Sequence, residues 1–251
     1  MAVYIARMKL RDVDRGEFVA KGFASLSNVV PGWLVTQLID GINETTFGSQ
    51  HQNYGALRKD KRFETLEELS APMRLLYEDY VRPVGDSLLG EGGFFTDAQY
   101  SVMEAGRPAS KGWHIDGTWI ATDKNSLDGI PFFKLLVGIY LTDLTKPGNG
   151  NLMVSPRGHN IVADFFKENG TAICESPKNA FEQLYVQPVP DLVPVLARPG
   201  DMIAAHALLP HTVSDNHGPD RPVIYFRLGA YMKSGFPALS DLWREWPAST
   251  H

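Results

Sequence analysis

An α+β fold is predicted, with helices gathered in the N-terminal third and a β-sandwich or jelly roll after them. Three observations predict it. Apolar residues recur at helical spacing around 33–39 and 66–77. From residue 95 the pattern changes to alternation, over 95–103, 135–141 and 223–231. The 251 residues also include 23 glycines and 17 prolines, about 16% against an average of roughly 12%, which favours turns and short strands over a helical bundle. Helices first and strands afterwards give α+β rather than alternating α/β units.

The elements follow in order. Pro31 sits near the start of a helix over 30–40 that places Leu34, Leu38 and Ile39 on one face. Leu66, Leu69, Met73, Leu76 and Tyr77 make a second stripe in Phe63–Tyr80, so residues 1–80 read as mostly helical support. Between these helices Phe47–Arg62 is polar and glycine-bearing, with Lys59-Asp60-Lys61-Arg62, and reads as a solvated loop or a mobile lid. Six to eight strands are expected over 94–232, including 95–103, 135–141, 151–154, 201–205 and 222–228. Helical inserts are expected near 161–167 and 179–185, and a short helix over 238–246. All of this fits one domain, 1–251.

Composition narrows the function. Hydrophobic residues make up 43% and charged residues 21%, enough for a buried core. A net charge of −5 with no basic stripe argues against nucleic acid as a partner. The lone Cys174 excludes a disulfide framework and a cysteine-rich zinc site, and fits a reducing compartment. No apolar leader and no run of ~18 apolar residues is present, so a cytoplasmic protein without a membrane partner is expected.

The chemistry begins at Trp113-His114-Ile115-Asp116. On an extended segment positions i and i+2 point the same way, so His114 and Asp116 can face one metal ion. With a distant histidine they would form the facial triad of non-haem Fe(II) oxygenases. The stretch Gly200–His211 offers His206 and His211 as the third ligand. An arginine fork is the natural partner for the far carboxylate of an oxo-acid cosubstrate. His211/Arg221 and His217/Arg227 share a spacing of ten residues. The first pair is preferred, because His211 closes a strand-like run whereas His217 lies in a turn-like one.

These residues, with Asp128-Gly129-Ile130-Pro131, Leu141-Thr142-Asp143, Gly148–His159, Gly200-Asp201 and Asn216, resemble the phytanoyl-CoA dioxygenase family of Fe(II)/2-oxoglutarate oxygenases, with features of its ectoine-hydroxylase branch. The resemblance implies a double-stranded β-helix (cupin-like jelly roll) with N-terminal helices packed on one sheet. It implies iron held by His114, Asp116 and His211, and 2-oxoglutarate anchored by Arg221, with Gln99, Met103 and Thr212 lining the cosubstrate site. Relatives carry Ser or Thr two residues after the distal histidine, where this chain has Val213, so the hydroxyl is left to one of its two neighbours, Thr212, carried here in the cosubstrate site, or Ser214. His159 is expected to be structural.

Trp113, Trp119, Phe132, Phe133 and Lys134 are candidates for a small-molecule substrate pocket. The implied reaction consumes O2, is supported by ascorbate, releases succinate and CO2, and oxidises an unactivated C–H bond, by default to an alcohol. Desaturation, epoxidation and rearrangement use the same triad. Halogenation is disfavoured, because Asp116 occupies the position a halide would need. The rivals are a cupin-like metalloenzyme that does not use 2-oxoglutarate and a catalytically silent binding protein of the same fold.

Overall fold

The structure, a computed structural model, describes residues 12–47, 58–89, 94–109, 112–116, 125 and 133–229. The N-terminal helix α1 (Asp12–Lys21) leads into β1 (Phe23–Leu26) and α2 (Gly32–Asn43). Strand β2 (Arg58–Phe63) follows, then α3 (Ala71–Leu76), one π-helical turn over Tyr77–Val81, and α4 (Arg82–Leu89). The long strands β3 (Phe95–Met103) and β4 (Leu135–Tyr140) precede β5 (Leu152–Val154). Helices α5 (Gly158–Glu175) and α6 (Pro177–Tyr185) come next, then β6 (Val193–Pro194), β7 (Met202–His206), β8 (His211–Val213) and β9 (Arg221–Leu228).

The expected α+β class holds. A six-stranded antiparallel sheet has the order β1-β7-β4-β9-β3-β2, and a three-stranded sheet the order β6-β5-β8. His114 extends the smaller sheet through a bridge to His211. Alternation gives the large sheet two distinct faces. Ala98, Tyr100 and Val102 of β3, with Ile224 and Phe226 of β9, pack under α2, α3 and α4. The opposite face presents Leu136, Tyr140, Val223 and Tyr225 to Leu152 and Val154 of the smaller sheet. Every residue of β9 is buried, because the strand is central and covered on both faces. Yet two of its inward positions are Arg221 and Arg227, 3% and 5% exposed. Arginine is almost never so buried without a specific partner, which marks this interior as a site.

One expectation about the N-terminal third is corrected and one is completed. Beside the helices expected in residues 1–80, β1 and β2 both join the large sheet. Within the segment read as a loop or lid, 58–62 form edge strand β2, paired with β3 from Arg58↔Met103 to Phe63↔Ala98. Its charges made it look like loop, but charged side chains are what a sheet edge carries. Lys59 pairs with Glu104 at 2.6 Å, and the Lys61 ammonium lies 5.4 Å from the Phe63 ring centroid. Residues 48–57, Trp119, Phe132, the Asp128–Pro131 motif and the expected helix over 238–246 lie outside the described residues. The inserts near 161–167 and 179–185 are longer than the sequence suggested, as α5 and α6. No helix among the described residues is long and apolar enough to cross a membrane.

His206 and His159 form a buried pair on the helix side of the large sheet. Their ring centroids are 5.4 Å apart, and His206 stacks 6.4 Å from Phe18. The backbone N–H of Leu208 donates to His206 Nδ1 at 3.0 Å. His206 is therefore a structural residue. Burial, with His159 alongside, pushes its pKa from 6.5 down to about 3. Burial also lowers His159.

Both folded-state values are depressed, so below pH 6.5 the unfolded chain binds protons that the folded pair excludes. Stability is expected to fall as pH drops through this window, by roughly 1.4 kcal/mol per pH unit for one such site. His206→Asn keeps an acceptor for the Leu208 N–H but cannot titrate. Urea unfolding at pH 7.5 and 5.5 should show a smaller acid loss in this variant than in the wild type. Identical losses would show that the pair does not drive acid sensitivity.

Candidate metal centre

His114 and His211 face each other across a reciprocal backbone pair. Each N–H donates to the other's carbonyl at 2.9 Å, and the ring centroids are 4.5 Å apart. Asp116, two residues on, points the same way, and its Oδ1 lies 3.4 Å from His211 Nε2. One ligand atom from each of these three residues lies within 4.8 Å of the others. His211 Nδ1 is 2.9 Å from the Leu209 carbonyl. A carbonyl only accepts, so Nδ1 carries the proton and Nε2 keeps a lone pair for a metal. Burial alone would push the Asp116 carboxyl up, but Arg227, then His211 and His114, hold it well below the usual carboxylate range. Two imidazoles and an ionised carboxylate on neighbouring strands are the donor set of a facial triad.

The two arginines of β9 have different surroundings. Arg227 donates to Asp116 Oδ2 from Nε at 3.0 Å and Nη2 at 2.7 Å, to Asp97 Oδ1 from Nη1 at 2.8 Å, and to Gln99 Oε1 at 3.2 Å. Among the described residues, Arg221 has only the Tyr225 hydroxyl at 3.4 Å from Nη1 and the Met103 sulfur at 4.0 Å from Nη2. Its Nε is buried with no partner among the described residues, as is the Tyr140 hydroxyl. Burial first, then Tyr225, push the Tyr140 phenol well above its ordinary pKa, against the pull of Arg221. Among the described residues no carboxylate pairs with Arg221. A buried guanidinium in this condition is costly unless an anion completes it. Gly150 keeps the space open. Its φ is +72°, and a β-carbon there would lie 3.1 Å from the Met103 sulfur and 3.3 Å from Arg221 Nε.

The other expected site residues divide. Gln99 and Met103 both point to the interior, Gln99 beside Arg227 and Met103 beside Arg221. Phe133 is buried, with the Arg227 guanidinium 5.5 Å from its ring centroid. Trp113 packs the other way. Alternation sends it, with Ile115, away from His114 and Asp116 into the cluster under α5 and α6, where its ring lies 5.3 Å from Tyr185. Strand alternation likewise puts Thr212 on the face opposite His211, whereas Val213 shares the His211 face. Lys134 lies with Leu89 beside Gly229, just before β4.

His206 is occupied as described above, and His217 is exposed in the turn before β9. Asn216 is a buried brace, its amide donating to the carbonyls of Met103, Glu104 and Pro219. Sequence reading missed Asp97, Tyr140 and Tyr225, and that Asp116 and Gln99 both accept from Arg227. The signal was present in Arg221-x-Val223-x-Tyr225-x-Arg227, a period of two that puts both arginines on one face of a strand.

No family model and no curated protein matches this sequence. Solved structures do share its fold. The non-heme alpha ketoglutarate dependent carbocyclase SnoK from nogalamycin biosynthesis superposes with a TM-score of 0.62 at 15% identity, covering 87% of this chain and 83% of that one. The epimerase SnoN in complex with Fe3+, alpha ketoglutarate and nogalamycin RO gives 0.63 at 15% identity, with 91% and 88% covered. EctD from S. alaskensis with bound Fe gives 0.62 at 17% identity, with 90% and 80% covered.

Proposed function

We propose that this chain is an Fe(II)- and 2-oxoglutarate-dependent dioxygenase that hydroxylates an unactivated C–H bond of a small molecule, releasing succinate and CO2. The observation that carries the reading is the pairing, in one interior, of a two-histidine, one-carboxylate ligand set with a buried guanidinium that has no counter-ion among the described residues. The fold is a double-stranded β-helix within a single domain. Successive segments fall in alternate sheets: β3 large, His114 small, β4 large, β5 and β6 small, β7 large, β8 small, β9 large. The shared fold with SnoK, SnoN and EctD supports this reading.

The residues present fit both groups. His114, Asp116 through Oδ1 and His211 through Nε2 would hold Fe(II). Arg221 would bind the far carboxylate of 2-oxoglutarate, with the Tyr140 and Tyr225 hydroxyls beside it. When bound, Fe(II) with 2-oxoglutarate and dioxygen supplies an oxidant strong enough to break an unactivated C–H bond. The chain supplies position and shelter. Leu209 fixes the His211 tautomer, Arg227 keeps Asp116 ionised, and buried β9 excludes water from behind the site. Phe133, whose ring centroid lies 5.5 Å from the Arg227 guanidinium, is assigned to the substrate pocket. A second reading, cyclisation or epimerisation in place of hydroxylation, draws support from SnoK and SnoN, whose names state those outcomes on this fold.

The test is succinate release with Fe(II), ascorbate and 2-oxoglutarate across a panel of small metabolites. Substrate-dependent succinate is expected, with the oxidised product identifying the outcome. Turnover of a substrate without succinate would favour a metalloenzyme that does not use 2-oxoglutarate. Metal binding with neither turnover nor 2-oxoglutarate binding would favour the silent binding protein.

A further inference from the structure

We infer that Arg227 is the positioning residue that leaves Asp116 a single oxygen for a metal ion and ties that ligand to the edge of the large sheet. The inference rests on the metal reading above. Its basis is the geometry of one side chain. Nε and Nη2 converge on Asp116 Oδ2, at 3.0 and 2.7 Å, so that oxygen is taken up and Oδ1 is the one turned toward His211. Nη1, on the other side of the guanidinium, is held by Asp97 at 2.8 Å. Asp97 is 4% exposed, so the arginine cannot leave without stranding a buried carboxylate. The clamp suits this residue type, since a planar fork fixes its donors on opposite edges, whereas an ammonium is a compact point charge without that fixed geometry.

The network continues outward. Gln99 accepts from Arg227 and donates from Nε2 to Asp60 Oδ1 at 3.0 Å, while Arg62 Nε lies 3.8 Å from Asp97 Oδ1. Asp60 and Arg62 belong to edge strand β2, opposite Ser101 and Gln99 in the register. The metal ligand is thus linked, through two side chains, to the outermost strand of the sheet. This assignment also separates the two arginines of β9. Arg227 already holds two carboxylates, whereas Arg221 holds none among the described residues.

Arg227→Met combined with Asp97→Asn removes the clamp without leaving Asp97 as an unpaired buried carboxylate. The metal-free double variant is expected to melt cooperatively and to bind Co(II) about 10- to 100-fold more weakly than the wild type. Its visible Co(II) absorption should also change in position and intensity, because Asp116 can then present both oxygens. Arg227→Lys should recover part of the affinity and not the spectrum. Equal affinity with an identical Co(II) spectrum in the double variant overturns the assignment. A wild-type protein that binds no Co(II) overturns instead the metal reading beneath it. A second measurement needs no variant: in the wild type titrated with Zn(II), the Arg227 Nε–H is expected to stay hydrogen-bonded and slow to exchange by 15N NMR. Its release on Zn(II) binding overturns the clamp even if the double variant does not fold.

Discussion

Replacing His211 with alanine is expected to abolish both metal binding and succinate release. The residue offers Nε2 from a strand whose backbone is already locked to His114 on one side and to β5 on the other. Among the described residues no neighbouring histidine can take its place. His206 is packed against Phe18 and His159, and His217 is exposed in the turn before β9. Removing a direct ligand should therefore exceed the 10- to 100-fold effect of losing an outer hydrogen-bond partner. Co(II) titration should show no high-affinity site in His211→Ala, while His217→Ala keeps one. Near wild-type turnover in His211→Ala, with His217→Ala inactive, would move the third ligand to the turn.

Arg221→Leu is expected to raise the apparent KM for 2-oxoglutarate roughly 30- to 4000-fold. That range follows from about 2–5 kcal/mol for truncating one partner of a buried charge pair. Co(II) affinity should be unchanged, because Arg221 contacts none of the three ligands. Arg221→Lys should restore only part of the loss, since a point charge cannot make the fork. Ligand-free protein should not lose stability in Arg221→Leu, because an unpaired buried charge is removed. An unchanged KM would shift the cosubstrate anchor away from this residue.

Much of the fold was legible because period two and helical spacing are written directly in the chain. β3, β4 and β9 appear where alternation placed them, and α2 appears where Leu34 and Leu38 recur. β2 was not legible: Arg-Lys-Asp-Lys-Arg has the composition of a loop, and only pairing with β3 makes it a strand. Trp113 was read as facing the pocket from its nearness to His114, although the same alternation that joins His114 to Asp116 sends it to the other face. The separate surroundings of Arg221 and Arg227 required the register of β9 against β3. That register sets Asp97 opposite Arg227 and Met103 opposite Arg221. No local pattern carries that information.

The backbone bridge between His114 and His211 joins positions almost a hundred residues apart in the chain. Closing so long a loop is entropically unfavourable until the strands between are in place. The three donor atoms therefore cannot assemble early in folding. In stopped-flow refolding with Co(II) present, the metal's absorption should rise no sooner than the tryptophan signal of collapse, and with the slowest phase. A metal signal that leads the others would show instead that the ion recruits its ligands and nucleates the smaller sheet.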